Sequence, residues 1–201
     1  MLETDSLRKR AQKGMTYPEY LNNMKKKAAQ TGAVSLDEDP LIYYTRLNFQ
    51  RSARLEKTYR LSDKLRTLLR RIDKPQLWMV LTEAWCGDSA QSLPMISKMA
   101  KENPRIELRI LLRDENPDIM NQYLTNGKQG IPKLVVFDKT GNELFTWGPR
   151  PREAAELFAR LQHEGWEKGD IYQELHKWYA RDKGKSIEHE FIEILNAHLK
   201  T

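Results

Sequence analysis

The stretch Leu77–Ala100, LWMVLTEAWCGDSAQSLPMISKMA, constrains the fold more than any other part of the chain. It opens with an apolar run, Leu77 to Leu81, of the length and composition of a strand buried on both faces. A tight polar turn follows, Trp85-Cys86-Gly87-Asp88-Ser89. A helical pattern then begins, with Leu93, Ile96 and Ala100 at spacings of three and four and a proline at 94. The only cysteine of the chain, Cys86, therefore stands at a strand-to-helix junction. Unpaired amide N–H groups at a helix start favour negative charge, so a thiolate there is expected to form more easily than in a free cysteine. The alternative is a small buried apolar residue, the usual fate of a lone cysteine. With Gly87 and Asp88 directly after it, an exposed, reactive thiol is the expectation.

The remaining pattern is read around this unit. Strands are expected over about 76–83, at Ile106–Leu112, at Lys133–Asp138 and at Glu143–Trp147, the last two joined by a hairpin turn at Lys139-Thr140-Gly141-Asn142. A helix over about 87–102, kinked at Pro94, lies between the first two strands. A short helix from Asn116-Pro117 to about Leu124 follows the second. Alternating strands and helices imply a parallel pair with a right-handed crossover, and the hairpin adds an antiparallel edge. Pro149 and Pro151 open a helix through Glu153, Leu157 and Leu161, and Gly165 to Gly169 reads as a linker. Helices at Asp170 to about Arg181 and Ser186 to His198 carry apolar stripes and read as a lid on the domain.

Before the first strand the chain is helical. Residues 1–15 read as a loosely packed start. Thr16-x-x-Glu19 is a capping box opening a helix to about Lys27, ended by Thr31-Gly32. Asp39-Pro40 caps a long helix, Ser62-Asp63 starts another, and Lys74-Pro75 breaks the chain. The division expected is a helical N-terminal extension over 1–74, a core over 75–165 and a C-terminal helical extension over 166–201. The N-terminal extension is expected to pack on the core sheet or to form a dimer surface; the oligomeric state is not readable.

These residues carry a resemblance. Trp85-Cys86-Gly87 followed by Pro94 resembles the active-site turn and helix of thioredoxin, and Gly130-Ile131-Pro132-x-Leu134-x-x-Phe137 with Gly141 resembles its cis-proline stretch and final hairpin. Asp114-Glu115-Asn116-Pro117 falls between them where thioredoxin ends a strand and opens a helix. The turn is most similar to that of bacterial thioredoxin-family proteins in which C-G-D is followed by a small residue. The fold class implied is α/β, a thioredoxin-like central mixed sheet flanked by helices, here with helical N-terminal and C-terminal extensions.

The resemblance implies a site with Cys86 as nucleophile within the turn of Trp85, Gly87, Asp88 and Ser89, and a groove walled by Ile131, Pro132 (expected cis), Trp147, Gly148 and Arg150. Trp85 flanks the sulfur and Ile131 offers backbone hydrogen bonds to an extended ligand. Ser89 stands where thioredoxin has its second, resolving cysteine, and a hydroxyl cannot replace a thiolate in exchange. Thioredoxin's buried acid and its lysine partner correspond to Val80 and Ile110. Asp88 opposes a negative sulfur. Ser89 either donates to the thiolate or caps the helix, and the cap is preferred. Arg150 and Arg152 either hold the carboxylates of glutathione or are surface arginines; Glu83 is either a base or an exposed carboxylate.

Two functions stay open. One is single-thiol exchange with a protein or small-molecule disulfide, completed by glutathione or another small thiol. The other is a redox-inactive binding module or a redox sensor for a partner protein. C-G-x-S is also similar to monothiol glutaredoxins, but no metal site is expected, and His163, His176, His189 and His198 read as ordinary helix residues. The net charge of +6 comes from residues 1–74, which hold 17 Lys and Arg against 9 Asp and Glu. Their helical alternation with apolar residues reads as a solvated face, so nucleic acid is not expected as a partner. There is no apolar run of membrane-spanning length, and one cysteine without a signal-like segment fits a reducing cytoplasm.

Overall fold

Two-residue alternation along the first strand sets the two sides of the molecule. In the computed structural model, which describes residues 4–29 and 35–199, β1 (Gln76–Thr82) pairs in parallel with β2 (Ile106–Leu112) and antiparallel with β3 (Lys133–Phe137). β3 pairs antiparallel with β4 (Glu143–Trp147), so the sheet order is β2-β1-β3-β4, the mixed sheet expected. The helices are α1 (Thr4–Gln12), α2 (Tyr17–Ala29), α3 (Pro40–Thr58), α4 (Asp63–Arg70), α5 (Gly87–Lys101), α6 (Pro117–Met120), α7 (Arg152–His163), α8 (Lys168–Asp182) and α9 (Lys185–His198). Among the described residues no helix is long and apolar enough to cross a membrane.

On one face, Trp78, Val80, Leu134 and Val136 pack with side chains of α2, α4, α5 and α9. Trp78 is fully buried there, its ring 5.8 Å from that of Phe191. On the other, Leu77, Met79, Leu81, Val135 and Phe137 pack with Leu7 and Ala11 of α1, Ile119 and Met120 of α6, and Cys86. The expected loose start is thus corrected. An apolar sheet face must be covered, and Leu7 and Ala11 cover it, Ala11 wholly buried, while Met15 ties the segment to β2 through backbone hydrogen bonds of 2.9 and 2.8 Å with Ile110.

Local signals act where expected. Glu19 accepts from the Thr16 N–H at 2.7 Å, and Asp39 Oδ1 accepts from the N–H groups of Leu41 and Ile42, both at 3.0 Å. The expected stop at Thr31-Gly32 lies outside the described residues. α6 ends at Met120 instead of near Leu124. Asn126 and Gly127, both at positive φ, form a tight reversal bridged between Thr125 and Lys128, which takes the intervening residues out of the helix.

α3 and α5 together set the turn that carries the cysteine. Pro94 has no N–H, so the Ala90 carbonyl loses its helical donor; the hydroxyl of Ser52 donates to it instead, at 3.4 Å. One turn earlier in α3, fully buried Asn48 donates to the Ala84 carbonyl at 3.2 Å and accepts from Arg51 at 2.9 Å. Lys98 of α5 in turn donates to the Glu56 and Tyr59 carbonyls at the end of α3, at 2.7 and 2.8 Å. Asn48→Ala leaves the Ala84 carbonyl buried without its donor and is expected to lower the unfolding free energy by about 1–3 kcal/mol in urea titration.

Candidate functional site

The chain leaves β1 at Thr82 and reaches Cys86 through a turn closed by the Cys86 N–H on the Glu83 carbonyl at 3.1 Å. Cys86 is the residue immediately before α5, and its carbonyl accepts the first helical bond, from Ala90 at 3.1 Å. Its thiol donates to the Ile131 carbonyl at 3.2 Å, and the Ile131–Pro132 peptide is cis, as expected. The residue is only 7% exposed, which corrects the expectation of an exposed thiol.

The backbone N–H groups of Asp88 and Ser89 and the hydroxyl of Ser89 all face the sulfur and favour its anion. Burial works the other way and prevails, reinforced by the Asp88 carboxylate: the thiol is pushed up to about 11. The expected lowering is therefore reversed. The donors of a helix start are present, but so are the two features that oppose them.

Direction runs through the hydrogen bonds beneath the sulfur. A carbonyl can only accept, so the thiol proton belongs to Ile131 and the sulfur lone pairs are left for Ser89. The Ser89 hydroxyl receives in turn from buried Thr82 at 2.6 Å, and the hydroxyl of Tyr20 in α2 faces Thr82. Ser89 is therefore inside the helix under the sulfur and not its cap, as preferred from sequence. Val80 and Ile110 stand opposite one another in the β1–β2 register and are both fully buried, so this pair supplies no proton-handling group.

Asp88 is the best-connected residue of the turn. Its Oδ2 accepts from Nε and Nη2 of Arg150 at 3.2 and 2.5 Å, and its Oδ1 from the Tyr179 hydroxyl of α8 at 2.8 Å. Arg150 also lies 4.4 Å over the ring of Phe158. Burial and the Asp88 charge hold Tyr179 protonated far above its ordinary range. Gly87 adjoins α8 as well: a Cβ there would stand 2.9 Å from Cε1 of His176. That histidine is no ordinary surface residue, for burial and the nearby Arg51 cation push its pKa down to about 4.

The structure gathers some expected site residues and separates others. Cys86, Ile131 and half-buried Trp85 share one apolar cluster, with the Arg113 guanidinium 4.9 Å over the Trp85 ring. Gly148 meets Pro132: its φ of +108° favours glycine, and a Cβ would lie 2.2 Å from the Pro132 carbonyl oxygen. The Gly148–Pro149 peptide is also cis. Trp147, expected as a groove wall, instead packs on the opposite sheet face and donates to buried Glu190 at 2.7 Å, because alternation along β4 turns it away from Cys86. Arg150 is occupied by Asp88, and Arg152 pairs with Glu190 and Glu193. Glu83 is buried, not exposed; it accepts from the Asp114 N–H at 3.0 Å and burial raises its pKa. Sequence reasoning missed Tyr179 and His176. Their one signal is that Tyr179 continues the Ile171–Leu175 stripe at four-residue spacing, so a polar tip is carried inward with the apolar face.

The profile of a protein family described as Thioredoxin matches residues 34–163. The chain belongs to the thioredoxin family. The matched span holds the whole sheet and the cysteine turn, and ends before α8 and α9. Two solved structures share the thioredoxin-like architecture. A Pseudomonas aeruginosa protein of unknown function, PA1234, is 20% identical, with 92% of this chain and 93% of that chain covered and a TM-score of 0.60. An HIV epitope-scaffold is 20% identical, with 91% and 99% covered and a TM-score of 0.56. No curated protein matches this chain.

His176 yields a pH prediction. Its folded-state pKa lies below the ordinary 6.5, so the unfolded chain binds the proton first and stability falls as pH drops from 6.5 towards about 4. In thermal melts across that window, His176→Gln is expected to flatten the decline seen for the native sequence.

Proposed function

We propose that this thioredoxin-family protein exchanges a single thiol with protein or small-molecule disulfides through Cys86, and that a second thiol from outside completes the cycle. The observation that carries the reading is the set of donors on one sulfur: the N–H groups of Asp88 and Ser89 and the Ser89 hydroxyl. A thiol that only fills space needs no such donors, whereas a sulfur that passes through an anion does.

In the first step the Cys86 thiol gives up its proton to solvent and the thiolate attacks one sulfur of a disulfide. A bond forms between the two sulfurs, the bond of the incoming disulfide breaks, and its other half leaves as a thiolate that takes up a proton. Ser89 cannot displace the captured half, so the thiolate of glutathione or a similar small thiol attacks the captured sulfur. The bond to Cys86 breaks, the captured half leaves as a disulfide with the small thiol, and the Cys86 thiolate takes up a proton. Trp85 flanks the sulfur, and Ile131, its carbonyl released from the thiol proton, lies beside Pro132 to align an extended ligand.

The second reading is a redox-quiet binding module. It is favoured by the burial that holds the thiol near 11, which leaves roughly one molecule in ten thousand as thiolate at neutral pH. Incubation with glutathione disulfide followed by intact mass separates the two. Exchange predicts one glutathionyl adduct on the native chain, none on Cys86→Ala, and reversal by free thiol. The rate should rise about tenfold per pH unit from neutral to alkaline conditions, as the thiolate fraction does below its midpoint. Ser89→Ala, which removes a donor to the anion, should slow adduct formation about tenfold at fixed pH. A folded chain that stays unmodified up to pH of about 10, while the unfolded chain is modified readily, would establish the binding module instead.

A further inference from the structure

We infer that the helix pair α7–α8 is a lid over Cys86 and that the Asp88 carboxylate, clasped by Arg150 and Tyr179, is its latch. The inference rests on the reading of Cys86 as an exchanging thiol and names what regulates its access.

The pair is built to move as a unit. Ala154 and Leu161 of α7 and Ile171, Leu175 and Tyr179 of α8 form an apolar cluster of their own, separate from the two that flank the sheet. Lifting the pair leaves the sheet cores intact, which is the property of a locally opening segment. Attachment to the thiol turn is polar and concentrated on one side chain. Arg150, at the entrance to α7, occupies one Asp88 oxygen, and Tyr179 of α8 occupies the other. A single carboxylate at the first turn of α5 thus fastens both helices.

The neighbouring residue makes room for the same contact. The His176 ring lies where a Cβ on Gly87 would be, 2.9 Å from Cε1 and 3.0 Å from Nε2. Each residue after the cysteine therefore has a task in the closure: Gly87 seats the lid and Asp88 ties it. The closed state also carries an uncompensated cost, since Nδ1 of His176 is buried without a hydrogen-bond partner and recovers water when α8 lifts. Closed, the sulfur is covered and keeps its proton on Ile131. Open, it meets solvent and the donors of Asp88 and Ser89 serve its anion.

The test compares two reagents on the folded full-length chain: small methyl methanethiosulfonate and a maleimide carrying a polyethylene glycol chain of several kilodaltons. Both need the thiolate, and only the small one can also reach the closed state, through the 7% of Cys86 that stays exposed, so their rate ratio cancels any change in ionisation and reports lifting of the lid. Tyr179→Phe removes one latch bond and Gly87→Ala pushes the histidine out; each should raise the bulky-to-small ratio about tenfold, the population shift expected from one hydrogen bond to a charged group. Arg150→Met should raise the ratio too, although the uncompensated Asp88 slows both reagents. An unchanged ratio in the variants that retain the native circular dichroism overturns the lid, and Tyr179→Phe alone decides if Gly87→Ala does not fold. The ratio is read with synthetic reagents, so failure to exchange with glutathione disulfide would overturn the functional reading and leave this result standing.

Discussion

A carboxylate that is only 7% exposed needs partners in place of water, and Asp88 has them in two N–H bonds from Arg150 and one hydroxyl from Tyr179. That requirement organises the thiol site. It brings the segment after β4, the first turn of α5 and the far end of α8 to one point beside Cys86. It also decides the chemistry of the cysteine, because the same negative charge opposes a thiolate that burial already disfavours. Removing Arg150 would leave the Asp88 charge buried without its ion-pair partner, at a cost of about 3–5 kcal/mol. Removing the Tyr179 hydroxyl would cost one hydrogen bond to a charged group, about 1.5–3 kcal/mol. The cluster therefore holds together as a whole or loosens as a whole.

Beneath the sulfur the structure is equally continuous. Tyr20 from the N-terminal helices, Thr82 from β1, Ser89 from α5 and the carbonyl of Ile131 place hydroxyls and an acceptor in one line through Cys86. The N-terminal helices are thus part of the thiol's environment, and α3 holds the turn through Asn48 and Ser52. Ser89 places a hydroxyl under the sulfur, and Val80 is apolar and fully buried. The thiol is met by the neutral donors of Asp88 and Ser89.

Much of this was legible in residues whose local chemistry is unambiguous. The apolar run of β1, the Thr16–Glu19 and Asp39-Pro40 caps, the hairpin at Gly141 and the cis bond before Pro132 all act where the sequence places them. What escaped depends on contacts between residues far apart in the chain. Cys86 is buried, and Asp88 beside it is tied to Tyr179 of α8, 91 residues on. Trp147 was misplaced because a motif match ignores which way a strand's alternation points. The start of the chain read as loosely packed, yet a sheet buried on both faces needs a cover, and Leu7 and Ala11 supply it. Arg150 was readable as a ligand for carboxylates; that the carboxylate is the chain's own was not.

The central claim is that the folded protein holds Cys86 as a covered, protonated thiol whose chemistry waits on opening. Its most direct test is the Cys86 13Cβ chemical shift, followed by NMR against pH on the intact chain with Cys86→Ala as the blank. The account predicts that the shift remains that of a neutral thiol through pH 9 and turns over near about 11. A midpoint at or below the ~8.5 of a free cysteine would contradict it, and would mean that the donors of α5 outweigh both burial and Asp88.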